Sequence, residues 1–151
     1  MVTKGRGAGF LADPDSLDRF LGEIFDKCPI RISLKTRLGM EDASEFVTLM
    51  EIYNKYPMEE LIIHPRAQKD FYKNTPDLEA FARAADSSRS PVCYNGDIFS
   101  VEDYERFTKR FSGIDRIMTG RGVLKDPSLA RRLRGGRGAD KAELRRFHDL
   151  L

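Results

Sequence analysis

The sequence predicts an α/β fold of four parallel βα units, and two observations carry that prediction. Apolar residues recur at helical spacing in four stretches, each followed by a short, β-branched or aromatic run bounded by Pro or Gly. A single helix also separates each strand from the next, which is the connection that right-handed parallel crossovers use.

The elements follow in order. Lys4-Gly5-Arg6-Gly7-Ala8-Gly9 is too glycine-rich for a helix and reads as a loop. Leu17, Phe20, Leu21, Ile24, Phe25 and Cys28 then share one face behind Asp13-Pro14, an N-cap with proline in the first turn, so a helix is predicted over 13–27. Ile30 to Thr36, between Pro29 and Gly39, is the first strand. A helix over 43–56, with Phe46, Leu49, Ile52, Tyr53 and Tyr56 on one side, leads into the strand Glu60 to His64. A helix over 76–85, with Leu78, Phe81, Ala82 and Ala85, leads into Pro91 to Asn95. A helix over 101–111, with Tyr104, Phe107 and Phe111, leads into Asp115 to Thr119. A helix over 128–133 follows, Gly135-Gly136-Arg137-Gly138 breaks the chain, and Asp140 caps a last helix carrying Leu144, Phe147 and Leu151. Four such units make either half of a TIM (β/α)8 barrel or a small open doubly wound sheet. A whole barrel needs about 250 residues, so the 151 residues here supply half of one.

Composition narrows the class. Hydrophobic residues make up 40% and aromatics 10%, which is ordinary for a globular domain, and no run approaches the roughly 18 apolar residues of a membrane span. A cytoplasmic protein is expected, since the opening residues lack a signal peptide's apolar stretch. Cys28 and Cys93 stand alone, without metal-ligand spacing, and read as small buried thiols; neither a disulfide nor a metal site is expected. The net charge of +2 is uneven: Lys125 to Leu151 holds eight basic and four acidic residues, leaving −2 on the first 124. Arg131, Arg132, Arg134, Arg137, Arg145 and Arg146 can follow a phosphate backbone or form a solvated face.

Polar residues at the C-terminal ends of parallel strands face the ligand site in either architecture. The four ends here are Lys35-Thr36-Arg37, His64-Pro65-Arg66, Asn95-Gly96-Asp97 and Thr119-Gly120-Arg121-Gly122. Backbone amides and a guanidinium at Gly120-Arg121 suit a phosphate monoester, as does a backbone donor from Asn95-Gly96; a plain turn is the alternative. Lys35 is able to face a ring that gains negative charge on reduction, or to pair with Glu41 or Asp42. His64 either hydrogen-bonds a cofactor or is structural. Together the four ends point to a phosphorylated cofactor.

Ile32 to Gly39, Leu61 to Arg66, Pro91 to Asp97 and Met118 to Gly122 resemble, in order and spacing, the tRNA-dihydrouridine synthase family. Lys4 to Gly9 resembles the loop after that family's Gly-Cys-Pro motif. The resemblance implies an FMN-binding TIM barrel that uses NADPH to reduce uridine in tRNA to 5,6-dihydrouridine, a cysteine supplying the proton. It implies that Lys35 and His64 line the flavin and that Asn95, Gly96, Asp97, Gly120 and Arg121 hold its ribityl phosphate. It also divides the chain into a partial barrel, 1–134, and the start of a helical tRNA-binding domain, 135–151. The family's first four strands and its catalytic cysteine have no counterpart here, so no catalytic residue is assigned. The expectation is a fragment inactive alone. The alternative is a non-enzymatic phosphate- or RNA-binding half-barrel that self-associates through open sheet edges.

Overall fold

A computed structural model describes residues 7–150. The chain forms two compact units that divide between Gly96 and Asp97. Alternating helices and strands place the fold in the α/β class, with the βα repeat of half a (β/α)8 barrel.

In the first unit a 3-10 turn, Gly7–Ala12, precedes α1 (Pro14–Lys27). The glycine-rich opening is therefore not loop throughout: from Gly7 on it winds into this turn, whereas Lys4 to Arg6 lie outside the described residues. Phe10 stacks on Phe20 at 4.8 Å, which explains why Phe20 stays 43% exposed while Leu17 and Leu21 are buried. Asp13 accepts hydrogen bonds from the Ser16 amide and hydroxyl, the N-cap that the sequence announces. Strand β1 (Ser33–Arg37) begins three residues later than predicted from Ile30. The 3-10 turn Ala43–Glu45 and α2 (Phe46–Tyr53) share the predicted 43–56 stretch. They are followed by β2 (Glu60–His64), α3 (Leu78–Ser87) and β3 (Val92–Tyr94). Helix α3 starts after Asp77, whose carboxylate caps the Ala80 amide, so Pro76 lies outside it.

The strands are parallel, β1 on β2 from Ser33↔Glu60 to Arg37↔His64 and β2 on β3 from Leu61↔Val92 to Ile63↔Tyr94. Sequential neighbours with no reversal of order are what a barrel segment has; a doubly wound sheet reverses at its switch point. Side chains alternate between faces. One face carries Thr36, Leu61, Ile63 and Tyr94 and is covered by the helices: Leu61 and Ile63 are essentially buried, and Phe81 meets Tyr94 edge-on at 5.0 Å. Thr36 Oγ1 lies 2.8 Å from Tyr53 Oη of α2 in the same layer. The opposite face carries Lys35, Arg37, Ile62, His64 and Cys93.

The loop leaving β1 is fixed by a residue beyond it. The Glu45 carboxylate accepts hydrogen bonds from the amides of Met40 (2.9 Å), Glu41 (2.8 Å) and Asp42 (2.8 Å). Gly39 makes this course accessible: its φ is +154°, and a Cβ there would meet the Asp42 carbonyl oxygen at 2.6 Å.

The second unit contains α4 (Val101–Arg110), β4 (Arg116–Ile117), α5 (Arg121–Lys125), α6 (Leu129–Arg132) and α7 (Lys141–Asp149). Ser100 caps α4 through the Asp103 amide. Ile98, Phe107 and Leu129 are buried, and Gly122 packs so tightly that a Cβ would fall 2.1 Å from the Ile98 carbonyl oxygen. Helix α5 was not foreseen, because Gly120-Arg121-Gly122 reads locally as a turn. Asp140 and Glu143 form a reciprocal capping box at the start of α7, and Glu143 also binds Arg131 through both carboxylate oxygens, at 2.9 and 3.2 Å. Leu144 and Phe147 of α7 are 43% and 40% exposed, so its apolar stripe is only partly covered; Leu151 lies outside the described residues. No helix among the described residues is long and apolar enough to cross a membrane.

Candidate functional site

The sheet face opposite the helices gathers the candidate residues of the first unit. Register places Arg37 beside His64 at the C-terminal ends of β1 and β2, and Lys35 one row below, beside Ile62 and Cys93. Lys35 makes no ion pair among the described residues, and Glu41 pairs instead with Lys69 at 3.9 Å. The surface salt bridge considered for Lys35 is thus absent. Partial burial of its ammonium, and then the repulsion of Arg37, lower its pKa from the usual lysine range.

His64 is 5% exposed and Arg66 only 2%. Arg66 NH1 lies 3.1 Å from His64 Nε2. A guanidinium only donates, so Nε2 must accept, which makes His64 a neutral imidazole with its proton on Nδ1. The other end of Arg66 donates through Nε to the carbonyl of Asn74. The Tyr72 ring stacks on His64 at 5.8 Å, and the Arg37 guanidinium stands over the same ring at 5.6 Å. Arg37 also donates to the carbonyls of Ala67 (3.2 Å) and Phe71 (3.1 Å), the second offered by a left-handed Phe71 with φ +49°. Burial lowers the Arg37 pKa, and Tyr72 opposes that shift. Lys35, Arg37 and Arg66 therefore bring three cations to one polar, aromatic-walled surface, a composition suited to an anionic planar ligand.

Three members of this cluster were missing from the candidate residues. Arg37 and Arg66 stood in the strand-end motifs themselves. Tyr72 was announced only by the adjacent aromatics Phe71 and Tyr72 in an otherwise polar strand-to-helix loop.

At the end of β3, the Asn95 amide donates to the Ile63 carbonyl at 2.9 Å, continuing the ladder. Any backbone donor for a phosphate from this turn must then come from Gly96. Gly96 also has a packing reason to be glycine, since a Cβ would fall 1.9 Å from the Tyr94 hydroxyl. Cys93 is buried, in the same row as Lys35 two strands away, and Cys28 is half-buried at the end of α1.

In the second unit Arg121 is ion-paired with Asp97 and lies over the Phe99 ring at 5.2 Å. Lys125 approaches the same ring at 5.8 Å. Gly120 precedes α5 with open space where a side chain would stand. Further along, Asp126 takes Ser128 and Arg132, and these bonds lower its pKa. No group of metal-ligating side chains occurs among the described residues.

The first unit thus carries cations, an imidazole and an aromatic ring at its strand ends, and the second a guanidinium beside a glycine turn. The sequence matches the family model described as dihydrouridine synthase over residues 1–150. It is 35% identical over 133 residues to the tRNA-dihydrouridine(16) synthase of Ralstonia nicotianae, covering 87% of this chain and 40% of that protein. The protein of the same description from Cupriavidus necator is 34% identical over 133 residues, with 87% and 41% covered. That from Pseudomonas putida is 30% identical over 153 residues, with 99% and 47% covered. The chain belongs to the dihydrouridine synthase family, and it spans less than half the length of these relatives.

Proposed function

We propose that this chain is the flavin-binding half of a tRNA-dihydrouridine(16) synthase, a cytoplasmic enzyme that reduces uridine in tRNA with NADPH as the source of electrons and FMN as carrier. The observation that carries this reading is the grouping of Lys35, Arg37 and His64, walled by Tyr72, on the sheet face opposite the helices. The donor set fits FMN. Bound FMN would supply the hydride chemistry. Lys35 opposes the negative charge of a reduced isoalloxazine, a pairing favoured by the partial burial that lowers its pKa. His64, held neutral by Arg66, orients by hydrogen bonding without adding charge. By the family resemblance, Asn95, Gly96, Asp97, Gly120 and Arg121 are the residues that would serve the ribityl phosphate. No residue of this chain is assigned as the acid that protonates the uracil ring.

Residues 135–151 begin a helical domain that grips tRNA. Arg134, Lys141, Arg145 and Arg146 make no ion pair among the described residues, so their charge is available to phosphates. The test is titration of the purified chain with FMN, following flavin fluorescence. Saturable binding lost in Lys35→Ala and Arg121→Ala supports the reading, and absence of saturable binding refutes it. The chain alone is expected to form no dihydrouridine in tRNA.

A second reading is favoured by β1, which has a strand neighbour on one side only within the first unit. An open edge pairs readily with another chain, so a non-enzymatic, self-associating RNA-binding half-barrel is the alternative. Sedimentation velocity separates the two: a stable dimer that binds RNA but no flavin would favour it.

A further inference from the structure

We propose that Asp97 and Phe99 are positioning residues that aim Arg121 at a phosphate monoester, and that Asp97 itself does not touch the ligand. The proposal rests on the flavin-phosphate reading above for the identity of the ligand. A carboxylate beside a dianionic phosphate is repulsive, so the presence of Asp97 in a phosphate site needs another explanation. The geometry supplies one. Asp97 Oδ1 takes the NH2 end of Arg121, and the guanidinium carbon lies over the face of the Phe99 ring at 5.2 Å.

Phe99 is fixed in turn. Its amide donates to Asp103 Oδ2 at 3.0 Å, and Asp103 sits in the first turn of α4, where its amide bonds the Ser100 cap. An in-plane partner and a face-on partner restrain both the direction and the tilt of a side chain that is otherwise exposed and rich in rotamers. A guanidinium carries five N–H donors, more than one carboxylate takes up. Lys125, at 5.8 Å from the same ring and without an ion pair among the described residues, adds a second cation. The cluster of Asp97, Arg121 and Lys125 thus carries one net positive charge with its guanidinium already oriented.

Affinities for FMN and for riboflavin, which lacks the phosphate, provide the test, measured on the full chain by flavin fluorescence. For Asp97→Asn and Phe99→Leu the preference for FMN over riboflavin should fall about tenfold, while Phe99→Tyr should retain it. Simple electrostatics gives the opposite sign for Asp97→Asn, because removing a negative charge would strengthen FMN binding. A raised preference therefore overturns the proposal. So does equal weakening of both flavins, which would place Asp97 on the shared ribityl chain. If the unaltered chain binds both flavins without preference, or neither, the phosphate reading fails. Positioning is then judged in the ligand-free protein from the Arg121 Nη–H resonances, since it is NH2 that donates to Asp97. Slow solvent exchange lost in Asp97→Asn supports it, and free-arginine behaviour in the unaltered chain refutes it.

Discussion

The Thr36–Tyr53 contact ties the sheet to α2 directly behind Lys35 and Arg37, and its polarity can be worked out. Thr36 has one hydroxyl proton, and Oγ1 lies 2.9 Å from the Arg37 carbonyl and 2.8 Å from Tyr53 Oη. The carbonyl can only accept, so the threonine proton goes there and the tyrosine donates to Thr36. The two truncations are then unequal. Tyr53→Phe removes a donor and orphans no proton, costing about 1 kcal/mol. Thr36→Val leaves a phenol that is 2% exposed without its acceptor, a loss of about 2 kcal/mol. The double variant Thr36→Val/Tyr53→Phe should be no less stable than Thr36→Val alone. Urea unfolding with a constant m-value is the assay. Equal costs, or a double variant at the sum of the two, would refute the assignment. A pH series adds a second readout. Burial pushes Tyr53 from 10.0 up to about 12. The unfolded chain therefore ionises first, and stability present below pH 10 is lost as pH rises through about 12, by on the order of 3 kcal/mol. Tyr53→Phe should lack that part of the alkaline loss.

Gly122→Ala should destabilise the second unit by about 1–3 kcal/mol, because its Cβ would press on a backbone oxygen that cannot swing away; thermal unfolding that leaves Tm unchanged would count against the packing described. Arg37→Gln should raise the Lys35 pKa part of the way, since burial is the larger cause of its depression; 13Cε chemical shifts of Lys35 against pH report it. Glu143 is drawn down to about 2, first by Arg131 and then by the Asp140 amide. Its hold on α7 is therefore complete above the ordinary carboxylate range near 4.5 and lost as pH falls through about 2. Hydrogen exchange of the α7 amides should accelerate over that interval, and less so in Glu143→Gln.

Much of this was legible in the chain. Periodicity located every strand and the main helices, because each buries one face and repeats accordingly: Leu17 and Leu21 of α1, and Phe46, Leu49 and Tyr53 of α2. Boundaries slipped where a side chain decided them. Asp77 rather than Pro76 caps α3, and Ala80, Phe81 and Ala84 are the residues it buries. Helix α5 escaped because two glycines depress helix propensity, whereas the fit of Gly122 against Ile98 is a tertiary fact with no local signature. At the candidate site, strand-end position singled out Lys35 and His64 as residues of the sheet face opposite the helices. It could not show that Arg66 fixes the tautomer of His64 or that Tyr72 folds back over it, since those contacts depend on the course of the loop over 65–77.

The loop after β1 separates contour from contact. Its path is written by one carboxylate in the following turn and by the missing side chain of Gly39, while Met40, Glu41 and Asp42 contribute only backbone amides to that bond set. Asp42 is held a second time, since its carboxylate caps the Ser44 amide at 2.8 Å, and Glu41 pairs with Lys69, so of the three side chains it is Met40's that is at liberty to diverge. A protein built this way can exchange the Met40 side chain on that rim for a charged, apolar or aromatic one without disturbing the strand that presents Lys35. Glu45 has no such latitude: an amide in its place would turn a donor toward donors, and the rim would lose its outline before any residue on it had changed.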